Sequence, residues 1–303
     1  NYKLIKLFKI NKNLEEQRLD KYLKRQFSSL TQSFIEKNIR KKNILINNKT
    51  AKSKYLIKKN DYVKIKNFSN DVYYNIEKKP TKIQISKLLL RNFKKSILYE
   101  DENFFVIDKW CGIATQGGTN ITISIDSIIK SLCKNYNLVH RLDKETAGLL
   151  IIAKNLLYTK IFGKLFKEQK LKKTYLAICD GKPKMNESFV DLLITSQGKK
   201  NTIKTKTKYT VLLSNNKVSL IRFEPKTGKK HQLRIVSKNL GCPIIGDKNY
   251  NLNKSKENQN LKLNASKLEF SINNRNFIFR STLPKDFIDF LRLKKIKFNE
   301  KTI

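Results

Sequence analysis

Apolar residues at Leu19, Tyr22 and Leu23 recur at helical spacing, and Thr31 stands where an N-cap would precede Phe34, Ile35 and Ile39. Ile44 and Ile46, then Tyr62, Val63 and Ile65, read as short strands. The character changes over 69–96, where Asp71, Pro80 and scattered lysines suggest a linker holding a short helix at 86–92. A second domain opens near 96–101, with a strand at 104–107 and helical spacing over 121–136. Residues 149–153 form a short apolar run bounded by Gly148 and Lys154, the pattern of a buried strand. An amphipathic helix follows at 156–166, then a β-branched and aromatic strand at 172–181 ended by Gly181. Residues 204–213 and 217–224 pair as antiparallel strands. Thr227 and Gly228 predict a helix start that puts His231 and Arg234, three apart, on one helical face. Strands at 267–272 and 276–280 precede a last helix opened by Pro284. A polar insert occupies 251–260, and the basic tail at 294–297 is expected to be mobile.

Short turns and few crossover helices favour an antiparallel sheet. The expectation is an α+β chain: a small domain at 1–68, a linker at 69–96, and a larger mixed α/β domain at 97–303 with a mainly antiparallel central sheet.

Charge then points to a partner. The 303 residues hold 65 Lys+Arg against 25 Asp+Glu, a formal net charge of +40. An A+T-rich coding genome would explain why 55 of those cations are Lys and ten Arg, but not why acids are so few. A polyanion, above all nucleic acid, accounts for the excess. Residues 1–68 carry 19 basic and 5 acidic side chains, about twice the net positive charge per residue of the rest. Arg18, Lys21, Lys37, Arg40, Lys41 and Lys42 are the cations expected to meet phosphate there. The cysteines at 111, 133, 179 and 242 form no Cys-x-x-Cys pair, so no metal is expected, and they suit a reducing cytoplasm. No run of 18 apolar residues exists, and the basic start is not followed by the apolar core of a signal peptide.

The candidate chemistry lies just before the buried strand, in Val139-His140-Arg141-Leu142-Asp143-Lys144-Glu145-Thr146-Ala147-Gly148. Asp143 would sit on a loop anchored by a rigid element, with Arg141 and Lys144 beside it. A carboxylate in that position can serve as nucleophile or base.

This stretch resembles the signature of the RluA family of RNA pseudouridine synthases, His-Arg-Leu-Asp-x-x-Thr-Ser-Gly-Leu-Leu, with Ala147 in place of Ser. Further resemblances follow along the chain. Lys173-Thr174-Tyr175 matches Lys-x-Tyr, and 228–234 matches Gly-Arg-x-His-Gln-Leu-Arg with Lys229 for the first Arg. Residues 241–250 match Gly-x-Pro-Ile-x-Gly-Asp-x-x-Tyr. Trp110 stands where the family has Pro, and Val236 where many members have His. Residues 18–23, 42–47 and 61–63 resemble the S4 RNA-binding domain.

The resemblance implies the pseudouridine synthase fold and isomerisation of uridine without a cofactor. It implies Asp143 as the catalytic residue, Arg141 filling the space left by the flipped base, and Tyr175 packing on the uracil. Arg234 would pair with Asp143, Leu233 would join the substrate pocket, and His140 and His231 would support the site. The implied substrate is 23S (large-subunit) ribosomal RNA and the expected state a cytoplasmic monomer. Whether Asp143 attacks the sugar or acts as a base stays open. So do tRNA or another RNA as substrate, and a non-catalytic RNA-binding assembly factor.

Overall fold

The computed structural model describes residues 4–27, 29–74, 85–118, 121–195, 202–251 and 259–298. The chain divides into two compact units, Asn1–Ile83 and Gln84–Ile303.

The first unit contains β1 (Lys6–Lys9), α1 (Leu19–Gln26), α2 (Gln32–Arg40), β2 (Ile44–Ile46), β3 (Tyr62–Ile65) and α3 (Asn70–Tyr73). The strands form an antiparallel sheet in the order β1-β3-β2. Leu19 and Leu23 of α1 and Ile35 and Ile39 of α2 bury against Ile44, Ile46, Val63 and Ile65. Each such side chain contributes about 1.5–3 kcal/mol of apolar burial. Thr31 caps α2 as expected, its Oγ1 accepting from Phe34 N at 3.2 Å.

The sequence boundaries at 68 and 97 need correction. Tyr73, in the stretch read as linker, is buried, stacking on Phe68 at 4.8 Å and meeting Phe27 edge-on at 5.2 Å. At the other end α4 (Lys87–Lys95) is capped by Ser86 Oγ, which accepts from Leu89 N. Its Phe93 is fully buried, edge-on to Phe105 at 6.0 Å. Aromatic burial thus draws both ends of 69–96 into the folded units.

The second unit continues with β4 (Ile97–Glu100), β5 (Phe104–Lys109), α5 (Ile125–Leu132), β6 (Asn137–Leu138), β7 (Ala147–Ala153), α6 (Leu156–Lys167) and β8 (Lys172–Asp180). Then come β9 (Glu187–Thr195), β10 (Thr202–Ser214), β11 (Val218–Pro225), α7 (Gln232–Asn239), β12 (Leu263–Ile272), β13 (Arg275–Arg280) and α8 (Lys285–Leu293). Among the described residues these strands make one sheet, ordered β4-β5-β7-β12-β8-β11-β10-β9, with β6 on β7 and β13 on β12. The pairings are antiparallel except β7 with β12, which run parallel through Ala147–Asn264 and Gly148–Ala265. The expected mainly antiparallel sheet is present.

All seven residues of β7 are buried, because helices and loops cover both faces of the sheet there. Leu150 and Ile152 pack with Phe93 and Ile129 on one face, Leu149 and Ile151 with Phe162 on the other. Gly148 has φ +109°, and a Cβ there would lie 2.4 Å from Ala265 O. Only glycine lets β7 and β12 approach at that point.

Two further expectations change. The helix at 121–136 is confined to α5, started by the Ser124 capping box. The tail read as mobile is folded as far as Ile296, which is 7% exposed against Leu291 and Phe290. Most of the 251–260 insert lies outside the described residues. No helix among the described residues is long and apolar enough to cross a membrane.

Candidate active site

The loop before β7 is held from below by the segment that follows β5. Thr115 Oγ1 donates to Leu142 O at 2.6 Å and accepts from Leu142 N at 3.1 Å. Gly112 N donates to Lys144 O at 2.9 Å, and Thr146 N to Asp143 O at 3.1 Å. Lys109 is fully buried, and its ammonium donates to the carbonyls of Ile113, Trp110 and Lys144 at 3.0, 3.1 and 3.3 Å. Burial pushes its pKa down to about 8. Asp143 is therefore fixed on both sides by backbone hydrogen bonds, and its carboxylate, 17% exposed, opens into a cavity.

That cavity, about 310 Å³, is lined by Arg141, Asp143, Lys173, Tyr175, Leu233 and Arg234, among others. The sheet order explains the meeting. β7 and β8 both border β12, so the loop leading into β7 and the early part of β8 reach the same place. The helix α7 arrives from the adjacent strand β11. Gln232 organises that helix start, its Oε1 accepting from Lys229 N and Thr227 Oγ1 at 3.0 and 2.8 Å.

Asp143 Oδ2 lies 3.8 Å from His231 Nε2 and 3.9 Å from Arg234 Nη1. Arg234 is only secondarily a partner of Asp143, however. Its guanidinium forks onto Asp247, Nε to Oδ2 and Nη2 to Oδ1, both at 2.7 Å. Asp247 Oδ1 also accepts from Asn249 N and Tyr250 N at 2.9 and 3.0 Å. Burial opposes the charge on Arg234, but Asp247 outweighs it and holds the pKa above its usual value. Burial likewise raises Asp247, and the Arg234 fork and the two backbone N–H groups reverse this and hold it low. The pairing implied by resemblance is present but shared: Asp247 holds Arg234 in place at closer range, and the remaining edge of the guanidinium faces Asp143.

His231 also departs from the sequence reading. It is the N-cap of α7 with φ 56°, a left-handed residue before the helix rather than a member of its face. Its Nδ1 meets Tyr250 Oη at 3.1 Å, which points Nε2 toward Asp143. Burial lowers its pKa, with Asp143 only partly opposing, so the ring is neutral near pH 7. His140 supports the loop differently: its Nε2 accepts from Ile151 N at 2.9 Å, and its ring lies 5.0 Å from Phe166. Burial, with Lys173 nearby, pushes it down to about 3. Tyr175 has its hydroxyl pushed well up by burial and then by the Asp143 charge, so it stays neutral. Arg141 is exposed at the mouth, and Leu233 is 7% exposed within.

In the first unit, Lys21, Lys37, Arg40, Lys41 and Lys42 are exposed. Arg18 is not equivalent to them. Its Nε donates to Oδ1 of the buried Asp20 at 3.0 Å, so its charge is engaged by the acid two residues on. Pattern reasoning missed Asp247, Tyr250, Lys109 and Lys173. The first two lie in the 241–250 motif and Lys173 in the Lys-x-Tyr match, which were their available signals.

Residues 103–239 match the family described as RNA pseudouridylate synthase, and residues 17–63 match the S4 domain. The protein named ribosomal large subunit pseudouridine synthase C of Rickettsia felis is 42% identical over 252 residues, covering 77% of this chain and 81% of its own. The chain belongs to the RNA pseudouridylate synthase family. This synthase is thus an isomerase, and the activity and fold implied by the Asp143 motif are borne out. Ribosomal large subunit pseudouridine synthase D of Borreliella burgdorferi is 34% identical over 299 residues, 90% of this chain and 88% of its own. A solved structure, human RNA pseudouridylate synthase domain containing 4, aligns with a TM-score of 0.61 at 25% identity, covering 70% of the synthase and 98% of that chain.

Proposed function

We propose that this enzyme converts uridines of 23S ribosomal RNA to pseudouridine, with Asp143 as the catalytic residue. The observation that carries the site assignment is the Asp143 carboxylate. It opens into a cavity beside a neutral tyrosine, a neutral histidine and a fixed guanidinium. The RNA is favoured by the names of the relatives, by the S4 match and by the formal charge of +40.

The target uridine must leave its stack, at a cost of a few kcal/mol. Arg141, exposed at the mouth, occupies the vacated position. The extruded ring packs on Tyr175, a contact worth about 1–3 kcal/mol. Asp143 then either attacks C1′ or takes a proton from the sugar. The N1–C1′ bond breaks with its electron pair remaining on the uracil. The ring turns, C5 bonds to C1′, the C5 proton is lost and N1 gains one. Nothing enters or leaves overall, so the reaction requires no cofactor.

The exposed cations of α2 and the residues after it, Lys37, Arg40, Lys41 and Lys42, meet phosphate sequence-independently. The enzyme works as a monomer in the bacterial cytoplasm, where ribosomes are assembled. The test has two arms. Asp143→Asn lowers the conversion rate by roughly 10³-fold or more with an unchanged melting temperature; near wild-type turnover would remove the catalytic assignment. Mapping pseudouridines in cells lacking the protein tests the RNA, since loss of sites in tRNA alone would overturn the ribosomal reading.

A further inference from the structure

Lys173 carries a charge for which the described residues supply no counter-ion. It stands two residues before Tyr175 on β8, so both side chains leave the strand on the same side, and both line the cavity. Among the described residues no carboxylate lies within ion-pair reach of its ammonium. The contacts of that ammonium are Thr227 O at 3.5 Å, at the limit of a hydrogen bond, and the Phe166 ring at 6.0 Å. Enclosing an ammonium without a counter-ion is unfavourable, and such groups pair or shift their proton affinity. Here burial alone lowers the Lys173 pKa to about 8. Lys173 therefore remains charged near pH 7.

The charged and titratable groups facing the same space come from two directions. The loop before β7 contributes His140, Arg141 and Asp143. The approach to α7 and the helix itself contribute Lys229, Lys230, His231 and Arg234. Asp143 is the one acid among the lining residues, and it is engaged at 3.8 and 3.9 Å by His231 and Arg234. Arg141, Lys229 and Lys230 are exposed at the rim, the natural place to meet phosphates that keep much of their water. Lys173 lies further in, beside the ring expected to hold the base.

The reaction creates an anion there. The flipped uracil is neutral until the N1–C1′ bond breaks. The bond's electron pair then stays on the ring, spread over O2 and O4, until C5 attacks C1′. Both routes open to Asp143 pass through this uracil anion. We infer that Lys173 is a catalytic residue whose ammonium donates to a uracil carbonyl oxygen and stabilises the charge that appears when the base detaches. A half-buried cation that has given up part of its water interacts more strongly with charge that develops only during the step than one at the open surface does. The ammonium keeps its proton throughout, so the atom balance of the isomerisation is unchanged.

The test uses the full-length protein and total RNA, labelled with [5-³H]uridine, from cells lacking it. Tritium release reports loss of the C5 proton, whichever RNA carries the target. Lys173→Met should lower the single-turnover rate at saturating RNA by about 10- to 100-fold. The half-saturating RNA concentration should move by less than about threefold, because the interaction is absent before the bond breaks. Lys173→Arg should restore most of the rate and lose less of it above about pH 8 than wild type, in which the Lys173 amine gives up its proton; Lys109, also at about 8, is common to both. An unchanged rate in Lys173→Met overturns the inference. So does an effect confined to half-saturation, which would make Lys173 a phosphate contact, or a Lys173→Arg profile that parallels wild type above pH 8. A melting temperature at or above wild type in Lys173→Met, expected from removing a half-buried charge without an ion-pair partner among the described residues, separates a chemical loss from misfolding.

Discussion

Removing the Asp247 carboxylate tests whether Arg234 is held by the pairing described here. Asp247→Ala deletes the acceptor of four hydrogen bonds: two from Arg234 at 2.7 Å and those from Asn249 N and Tyr250 N at 2.9 and 3.0 Å. The larger consequence is a buried guanidinium without its counter-ion, since Arg234 is 4% exposed. Breaking a buried pair from one side costs about 3–5 kcal/mol. For a unit of about 220 residues, at about 2–4 °C per kcal/mol, the melting temperature should fall by roughly 6–20 °C. The assay is thermal unfolding followed by circular dichroism, with activity measured well below the transition. Activity should fall as well, because the freed guanidinium has Asp143 as its next carboxylate, 3.9 Å away, and would close on it. Adding Arg234→Met removes the stranded charge, so the double variant should be more stable than Asp247→Ala alone. A melting temperature within about 2 °C of wild type, or strict additivity in the double variant, would refute the reasoning.

Two other predictions concern the frame of the site. Gly148→Ala combines a φ of +109° with a 2.4 Å clash against Ala265 O and should cost about 2–6 kcal/mol, whereas Gly112→Ala, with φ +90° and open space, should cost only about 1–2. Denaturant unfolding compares them, and equal losses would mean that β7 and β12 are not in close contact. His140 takes its proton near pH 3 in the fold against 6.5 ordinarily, so its stabilising contribution is complete above 6.5 and is lost as pH falls toward 3, by up to about 1.4 kcal/mol per pH unit. His140→Asn should therefore show a shallower loss of stability across that window, and parallel curves would contradict a neutral, buried ring.

What the sequence disclosed and what it concealed divide along a physical line. Local rules worked where the cause is local. Thr31 and Ser86 cap their helices, and the apolar run after Gly148 is a strand buried on both faces. The motifs also brought Asp143, Tyr175, Leu233 and Arg234 to one cavity, as the family resemblance implies. Strand β9 escaped because Phe189 and Leu193 sit on its outer face, 54% and 68% exposed, and erase the alternation of Val190, Leu192 and Ile194. The pairing of Arg18 escaped because a bidentate pair with an acid two residues away looks, in sequence, like one more cation on a basic helix. Asp247 lies 104 positions after Asp143, and only the fold brings the two to opposite edges of one guanidinium. Lysine is the least informative letter in this chain, since 55 of 303 residues are Lys. Most of them are solvated, so composition does not separate Lys109, which braces a loop by three carbonyls, from its neighbours, and Lys173 was marked only by its place in the Lys-x-Tyr match. What distinguishes a functional cation here is the loss of its water, and that is decided by the strands and helices packed around it.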